Sequence, residues 1–442
     1  MKRRSHALVV LLCLFFSFSW LAEGQAQAQN RDQNFILRLN ESLDYLALEK
    51  LVRTYSPALR SPARDAALAE YAVAQTRLYD NPTLDGAWAT VPVGKTNPED
   101  LSRPFANVPN YAVGLSYTFP VKKRAPRIER AQAVAAGTRA SLDAVCRDNA
   151  LDLADILGEL ATATLRREGI GDLVNGSKRA VELAEARLAA KFGTPLEVDR
   201  LTVDLQRTEQ LLLSIEADIR GSLAECSRLV GTRCENFSDG KSARAYLARW
   251  LAPSSSSEAQ LEHRPDLRAL SAYIDASRAD ARLAEAEAIP DPTVRLGYLH
   301  DRFIISGNQR NSLNVGVSIP LPVFNHGQVH KRAADFARQS LHDEHEGRIS
   351  SARARIPVLR ERFQLQRERC ERLTVEILPK GEAVLRDLDK AAENRLIPVT
   401  DVIQARRSVG ELLIEKAESC GDAYAAVVEL IREIPANEQG HD

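Results

Sequence analysis

The chain of 442 residues is poor in aromatics, which make up 6% of it, and it holds one methionine and three tryptophans. Long stretches are written instead in Ala, Leu, Arg, Glu and Gln, a vocabulary of long helices that argues against a sandwich or a doubly wound sheet. An excess of one charge sign is also missing: 59 basic residues face 60 acidic ones, a net charge of -1. No global positive field draws in a phosphate backbone, so nucleic acid is not expected as a partner. Catalytic signatures are lacking too, since the chain contains no G-x-S-x-G, Walker-type loop or G-x-G-x-x-G. Carboxylates are numerous but sit among arginines, as on solvated helix faces. His326 and His330 are four apart, and His342 and His345 three apart. Either pair could put two ligands on one helix face, but no cysteine or carboxylate cluster completes a four-ligand set. The expectation is a protein that is not an enzyme and needs no cofactor or metal.

Long hydrophobic runs are confined to the N-terminus. Lys2, Arg3 and Arg4 precede an apolar stretch from Ala7 to Ala22, and Ala26-Gln27-Ala28 supplies the small residues of a cleavage site. Residues 1–28 therefore read as a signal peptide, with the mature chain starting near Gln29. Cys13 falls inside it and follows Leu11 and Leu12, where a lipoprotein site needs small residues. Beyond this segment no run of ~18 apolar residues exists, so no helix is expected to cross a membrane. A part that enters one would have to be a barrel.

What is present is a duplication. Tyr55-Ser56-Pro57-Ala58-Leu59-Arg60 has a counterpart in His263-Arg264-Pro265-Asp266-Leu267-Arg268, and Asn81-Pro82-Thr83-Leu84 has one in Asp291-Pro292-Thr293-Val294. Tyr117-Thr118-Phe119-Pro120 matches Ile319-Pro320-Leu321-Pro322, and Gly193-Thr194-Pro195-Leu196 matches Leu396-Ile397-Pro398-Val399. Four landmarks in one order divide the chain into a first repeat, 29–252, a linker, 253–262, a second repeat, 263–434, and a tail, 435–442. The linker contains Pro253 followed by four serines.

Each repeat opens with helix, paired in the first copy: Asn40 to Thr54, with Leu43, Ala47 and Leu51 on one face, then about Pro62 to Tyr79. A β-hairpin follows, over 83–119 in the first repeat and 293–321 in the second. In it Tyr111, Val113, Leu115, Tyr117 and Phe119, and likewise Leu313, Val315, Val317 and Ile319, alternate with small or polar residues. One large apolar face and one small polar face is the pattern of a lipid-facing barrel strand, although a soluble hairpin with one buried face shares it. Long helical hairpins complete the repeats, over 122–252 and 326–434. No proline interrupts 127–194 or 196–252, and 68 helical residues would span roughly 100 Å. Rods of that length must pack on one another as coiled coils, and Leu201, Leu205, Thr208, Leu212, Ile215 and Ile219 keep the 4–3 spacing. Gly169, Gly171 and Gly176 in one copy and Pro379 in the other predict that each rod splits at mid-length.

This duplicated order of helix, Asn/Asp-Pro-Thr, two strands, Pro-Leu-Pro-type strand exit and long helical hairpin resembles the TolC-type outer membrane factors along essentially the whole mature chain. Pro320-Leu321-Pro322-Val323-Phe324-Asn325-His326-Gly327 looks like that family's passage from strand to helix, and Asp401-Val402-Ile403-Gln404-Ala405-Arg406-Arg407 like its helix after the tip. Asn394-Arg395-Leu396 stands where the family often carries glycine. The resemblance implies a mainly helical chain with four strands, a homotrimer completing a twelve-stranded outer-membrane β-barrel, and a helical tunnel across the periplasm. It implies, as partners, outer-membrane lipid, a periplasmic adaptor and an inner-membrane pump. The function expected is the passive channel subunit of a tripartite efflux system; the alternative is a secreted coiled-coil scaffold that never enters a membrane. Similarity is nearest to channel subunits of heavy-metal cation efflux, with multidrug export equally compatible.

In that setting the hairpin tips, Phe192, Gly193, Thr194, Pro195 and Leu196 with Leu396, Ile397, Pro398 and Val399, are the candidate adaptor contacts. Glu197, Asp199 and Asp401, just past the tips, are candidates for a ring of negative charge at the tunnel mouth. Five cysteines remain after the signal peptide, in an oxidising periplasm. Cys370 and Cys420 lie 25 residues either side of Arg395, which brings them to one height on antiparallel helices. Cys226 and Cys234 bracket a short loop. Cys146 with Cys234 is the rival pairing, and buried free thiols are the third possibility.

Overall fold

The computed structural model describes residues 36–40, 42–91, 93–95, 102–251, 258–302, 309–393 and 399–434. The expected signal peptide, residues 253–257 of the linker, the tail, and Leu396, Ile397 and Pro398 of the second tip lie outside the described residues.

Strand β1, Ile36–Arg38, leads to α1, Tyr45–Tyr55, whose start is capped by the Asp44 carboxylate accepting from the Ala47 N–H at 2.9 Å. Helix α2, Arg60–Arg77, follows after a single 3-10 turn. Strands β2, Thr83–Ala89, and β3, Asn110–Thr118, then lead into α3, Arg124–Ala189, which returns as α4, Pro195–Val230. The second half repeats this order with β4, Arg233–Glu235, α5, Gly240–Trp250, α6, Pro265–Glu287, β5, Thr293–His300, and β6, Asn311–Ser318. Helix α7, Gln328–Arg372, passes through a π-helical turn, Leu373–Ile377, into α8, Leu378–Glu393, and α9, Val399–Glu433, returns. The short strands β1 and β4 pair in parallel, Leu37 opposite Cys234.

The four longer strands form one antiparallel sheet in the order β2-β3-β5-β6. The helices attached to them pack in the same order, α2 on α3, α3 on α6 and α6 on α7, so the wall begun by the sheet continues as a layer of rods. Further along, α4 packs on α3, and α9 lies against both α3 and α7. The ends of paired rods meet. Arg264, at the start of α6, donates to the Glu433 carbonyl and carboxylate, both at 3.0 Å, at the end of α9. Arg147 is buried beside that end and donates to the carbonyls of Ile431, Arg432 and Ile434 at 2.6–2.9 Å. Ile431 and Arg432 belong to the last turn of α9 and Ile434 follows it, where carbonyls run out of helical partners.

The core sits at this joint. Leu151, Leu153, Leu157 and Leu160 of α3 are fully buried and pack with α1, α4 and α5. At its centre the hydroxyls of Tyr246 and Tyr424 bond to one another at 2.7 Å, and Tyr424 donates to the Ala154 carbonyl at 2.8 Å. Burial pushes both phenols above their usual range.

The predicted mid-length break occurs in one rod and not in the other. The π turn ends at Ile377, two residues before Pro379, as the proline implies. Helix α3, however, runs unbroken for 66 residues through Gly169, Gly171 and Gly176. A glycine costs a helix only about 1 kcal/mol, and α3 is held along its length by α4 and α9. At Gly169 the approach of α9 is close, a Cβ there lying 3.4 Å from Leu413. Two disulfides are present, Cys226–Cys234 with Cα atoms 6.1 Å apart and Cys370–Cys420 with Cα atoms 4.9 Å apart, while Cys146 is a buried thiol. The second closes a loop of 50 residues, a constraint on the unfolded chain of about 4 kcal/mol in the chain-entropy account. Beside it the π turn, α3, α5 and α9 enclose a cavity of about 730 Å³ that includes Leu165, Leu247, Val375 and Leu413.

Candidate functional site

Alternation along a strand becomes a surface only when registers agree, and here they do. Leu84, Leu115, Leu296 and Val315 stand in one row across all four strands. Gly86, Val113, Tyr298 and Leu313 form the next row, and Tyr117, Val294 and Val317 another. Directly paired residues share a face, so these rows make a continuous apolar surface, and among the described residues no element packs over it. Leu84, Leu313 and Val315 are about 70% exposed (73%, 69% and 70%). Ile319 and Phe119, beyond the strand ends, are exposed as well.

The opposite face carries Asp85, Gly114, Gly297 and Asn314 in one row and Ala87, Ala112, Leu299 and Ser312 in another. Aromatic residues gather at both ends of the apolar face: Trp88, Tyr111 and Tyr298 at one, Tyr117 and Phe119 at the other. The last two meet edge to face with ring centroids 4.7 Å apart. Strand β3 has nine residues, about 30 Å at ~3.3 Å each, and a tilt of ~40° reduces its height to about 23 Å, close to the ~25 Å apolar band of outer-membrane barrels. Among the described residues no strand lies beside the outer edges of β2 and β6. Among the described residues no helix is long and apolar enough to cross a membrane.

At the far end of the first hairpin the chain reverses in five residues. Lys191 takes the left-handed conformation, φ 63°, and the Phe192 N–H bonds the Arg187 carbonyl at 2.8 Å. Thr194 then caps α4 by accepting from the Glu197 N–H at 3.3 Å, with Pro195 in the first turn. Phe192 and Leu196 project from this turn, 81% and 77% exposed. Gly193 is fixed by crowding: a Cβ there would lie 3.0 Å from the Leu188 nitrogen. Of the three candidate carboxylates, Glu197 is half-buried and pairs with Arg187 at 3.5 Å, while Asp199 and Asp401 are exposed. Val399 opens α9.

The sequence reading missed a link between the hairpins. Arg407 of α9 reaches Asp204 of α4 at 2.8 Å and Glu411 at 3.1 Å. Only the i,i+4 spacing of Arg407 and Glu411 was visible, because the Asp204 contact spans 203 residues. Of the histidines weighed as ligands, His330 lies between two carboxylates, with Nδ1 2.9 Å from Glu287 and Nε2 3.3 Å from Asp280. Its pKa is raised, chiefly by the Glu287 bond. Among the described residues no group of three or more His, Cys, Asp or Glu is arranged to hold a metal.

Comparison with known proteins agrees with this architecture. Residues 257–432 match the family model described as outer membrane efflux protein. The chain is 23% identical over 304 residues to the cobalt-zinc-cadmium resistance protein CzcC of Cupriavidus metallidurans, covering 69% of this chain and 70% of that one. Its fold is similar to that of CusC, described for transmembrane channel formation, with TM-score 0.70, 14% identity and 89% and 96% of the two chains covered. It is similar also to the outer membrane protein VceC of Vibrio cholerae, with TM-score 0.66, 19% identity and 88% and 95% covered. The second half of the chain is thus similar to the outer membrane efflux protein family, and along nearly its whole length the chain shares the fold of CusC and VceC.

Proposed function

We propose that three copies of this chain assemble into a passive efflux duct, the twelve strands closing as a barrel in the outer membrane and the helices forming a tunnel across the periplasm. One observation carries the proposal: a four-stranded sheet whose large face is apolar and, among the described residues, uncovered, with no strand beside either edge. A sheet with open edges in lipid would leave backbone groups unpaired, and closure with further copies removes both edges. The common order of strands and helices makes the joint head to tail, β2 and α2 of one copy against β6 and α7 of the next, a contact that closes into a ring under three-fold rotation.

The duct works by position rather than chemistry. Its far end, where Phe192 and Leu196 project from the turn at Gly193, Thr194 and Pro195, offers apolar knobs for a periplasmic adaptor, which in turn joins an inner-membrane pump; Leu396, Ile397, Pro398 and Val399 supply the matching sequence at the second tip. Glu197, Asp199 and Asp401 stand beside these tips, and three-fold symmetry makes a ring of any that faces inward. Asp401, exposed in the first turn of α9, is the one to test first. The name of the cobalt-zinc-cadmium relative supports divalent cations as cargo, and a negative ring at the mouth fits that class.

The test is assembly and export together. The wild type should run as a heat-modifiable trimer from the outer-membrane fraction and confer efflux. Phe192→Asp, or Ile397→Asp, should still give trimers but abolish export. Phe192 is the cleaner tip position, since substitution at Gly193 disturbs the turn itself. A monomeric protein recovered from the soluble periplasmic fraction would contradict the proposal and favour the scaffold reading.

A further inference from the structure

The polar face of the sheet carries few charges. Along the described residues of β2, β3, β5 and β6 its side chains are small or neutral except for Asp85 on β2 and Arg295 on β5. These two are not neighbours in the ladder, because β3 lies between them. Arg295 stands opposite Ser116 and Gly316, while Asp85 stands opposite Gly114, one row further on. The guanidinium nevertheless crosses β3 diagonally and comes within 3.7 Å of the Asp85 carboxylate. The Ser116 hydroxyl donates to the same carboxylate at 3.2 Å.

The crossing requires a flat floor. Gly114 lies under the arginine, and a Cβ there would be 3.1 Å from Nε. Gly297 and Gly316 leave the neighbouring positions of β5 and β6 without side chains. Arg295 can thus lie along the wall instead of standing out from it. Both residues are near the strand ends that join the helices, α2 before Thr83 and α6 before Thr293.

We infer that Asp85 and Arg295 form a charge collar where barrel meets tunnel, and that the balance between them sets the ion preference of the bore. The inference rests on the channel proposed above, in which this face lines the lumen. In the trimer the collar is three carboxylates and three guanidiniums, held as pairs against the wall. Removing one partner leaves three like charges, and the freed arginine rises into the bore. Twelve strands ~4.8 Å apart at ~40° tilt give a radius of about 12 Å. The Debye length is ~10 Å at 0.1 M salt and ~30 Å at 0.01 M, so the collar reaches the axis only in dilute salt. As an exposed pair it adds little to stability, and its substitution leaves the fold intact.

The experiment is reversal potential in planar bilayers across a salt gradient near 0.01 M, on purified full-length trimers, with KCl as the probe. Asp85→Asn should shift permeability at least about twofold toward anions, and Arg295→Gln by a similar factor toward cations. The double variant should return close to wild type, and all shifts should fade at 1 M. Gly114→Ala, which pushes the arginine off the wall, should lower conductance. If both single variants conduct with the wild-type reversal potential, or shift it in the same direction, the collar is refuted while the channel stands. Wild-type trimers that never conduct would refute both.

Discussion

Leucine and valine occupy opposite environments in the two ends of this molecule. At the helical joint Leu151, Leu153, Leu157 and Leu160 are fully buried beneath α1, α4 and α5. In the sheet Leu313 and Val315 are about 70% exposed (69% and 70%), and among the described residues no element packs over them. A chain folding in water alone gains ~25 cal/mol per Å² of apolar surface removed, and contiguous apolar patches beyond a few hundred Å² are rare on soluble monomers. The joint follows that rule and the sheet breaks it along every strand. In the channel proposed above the two regions have different solvents, water around the joint and lipid around the sheet.

The largest expected effect lies at the joint. Tyr424→Ala removes a fully buried ring and leaves the Tyr246 hydroxyl without its partner. Loss of an aromatic side chain from a core costs about 3–5 kcal/mol, so chemical denaturation of the trimer should show a midpoint lowered accordingly. Val315→Ala in the sheet should cost less than about 1 kcal/mol and leave that midpoint nearly unchanged, because lipid or detergent refills the space. Equal losses at the two sites would erase the distinction between the regions.

A smaller effect is expected between them, where α7 leaves the sheet. His330 bonds Glu287 and Asp280 of α6, Arg130 of α3 also pairs with Asp280 at 2.9 Å, and the neighbouring Lys331 pairs with Glu285. With a carboxylate at each ring nitrogen the imidazolium is favoured, and the folded pKa is raised above the ordinary value near 6.5. Stabilisation from a raised histidine is complete below the unfolded pKa and is lost as pH rises through the folded one. The melting temperature of the wild type should therefore exceed that of His330→Gln most clearly at about pH 5.5. The difference should shrink toward pH 8.5. A gap that widens with pH would give His330 another role.

How much of this was legible in the sequence differs between the same two regions. The strands were readable because alternation needs only neighbours in the chain, and Tyr111 to Phe119 and Leu313 to Ile319 display it directly. Their joining through β3 and β5, Leu115 opposite Leu296, depends on pairs 181 or so residues apart and had no local signal. Prolines marked where rods turn, but glycines at 169, 171 and 176 overstated a break that packing on α9 overrides. The Tyr246–Tyr424 pair, the Arg147 cap on α9 and the Asp204–Arg407 link all join distant segments. Each looked, in sequence, like an ordinary member of a helix face.

The most direct test of the different solvents is accessibility along β6. Single cysteines at 312 through 317, in a background with Cys146 replaced, can carry nitroxide labels in trimers reconstituted into bilayers. Apolar oxygen and a water-soluble nickel chelate then report which phase each label meets. Labels at 313, 315 and 317 should collide with oxygen and not with the chelate, and labels at 312, 314 and 316 should show the reverse. Equal chelate access on both faces would mean that this sheet never enters lipid.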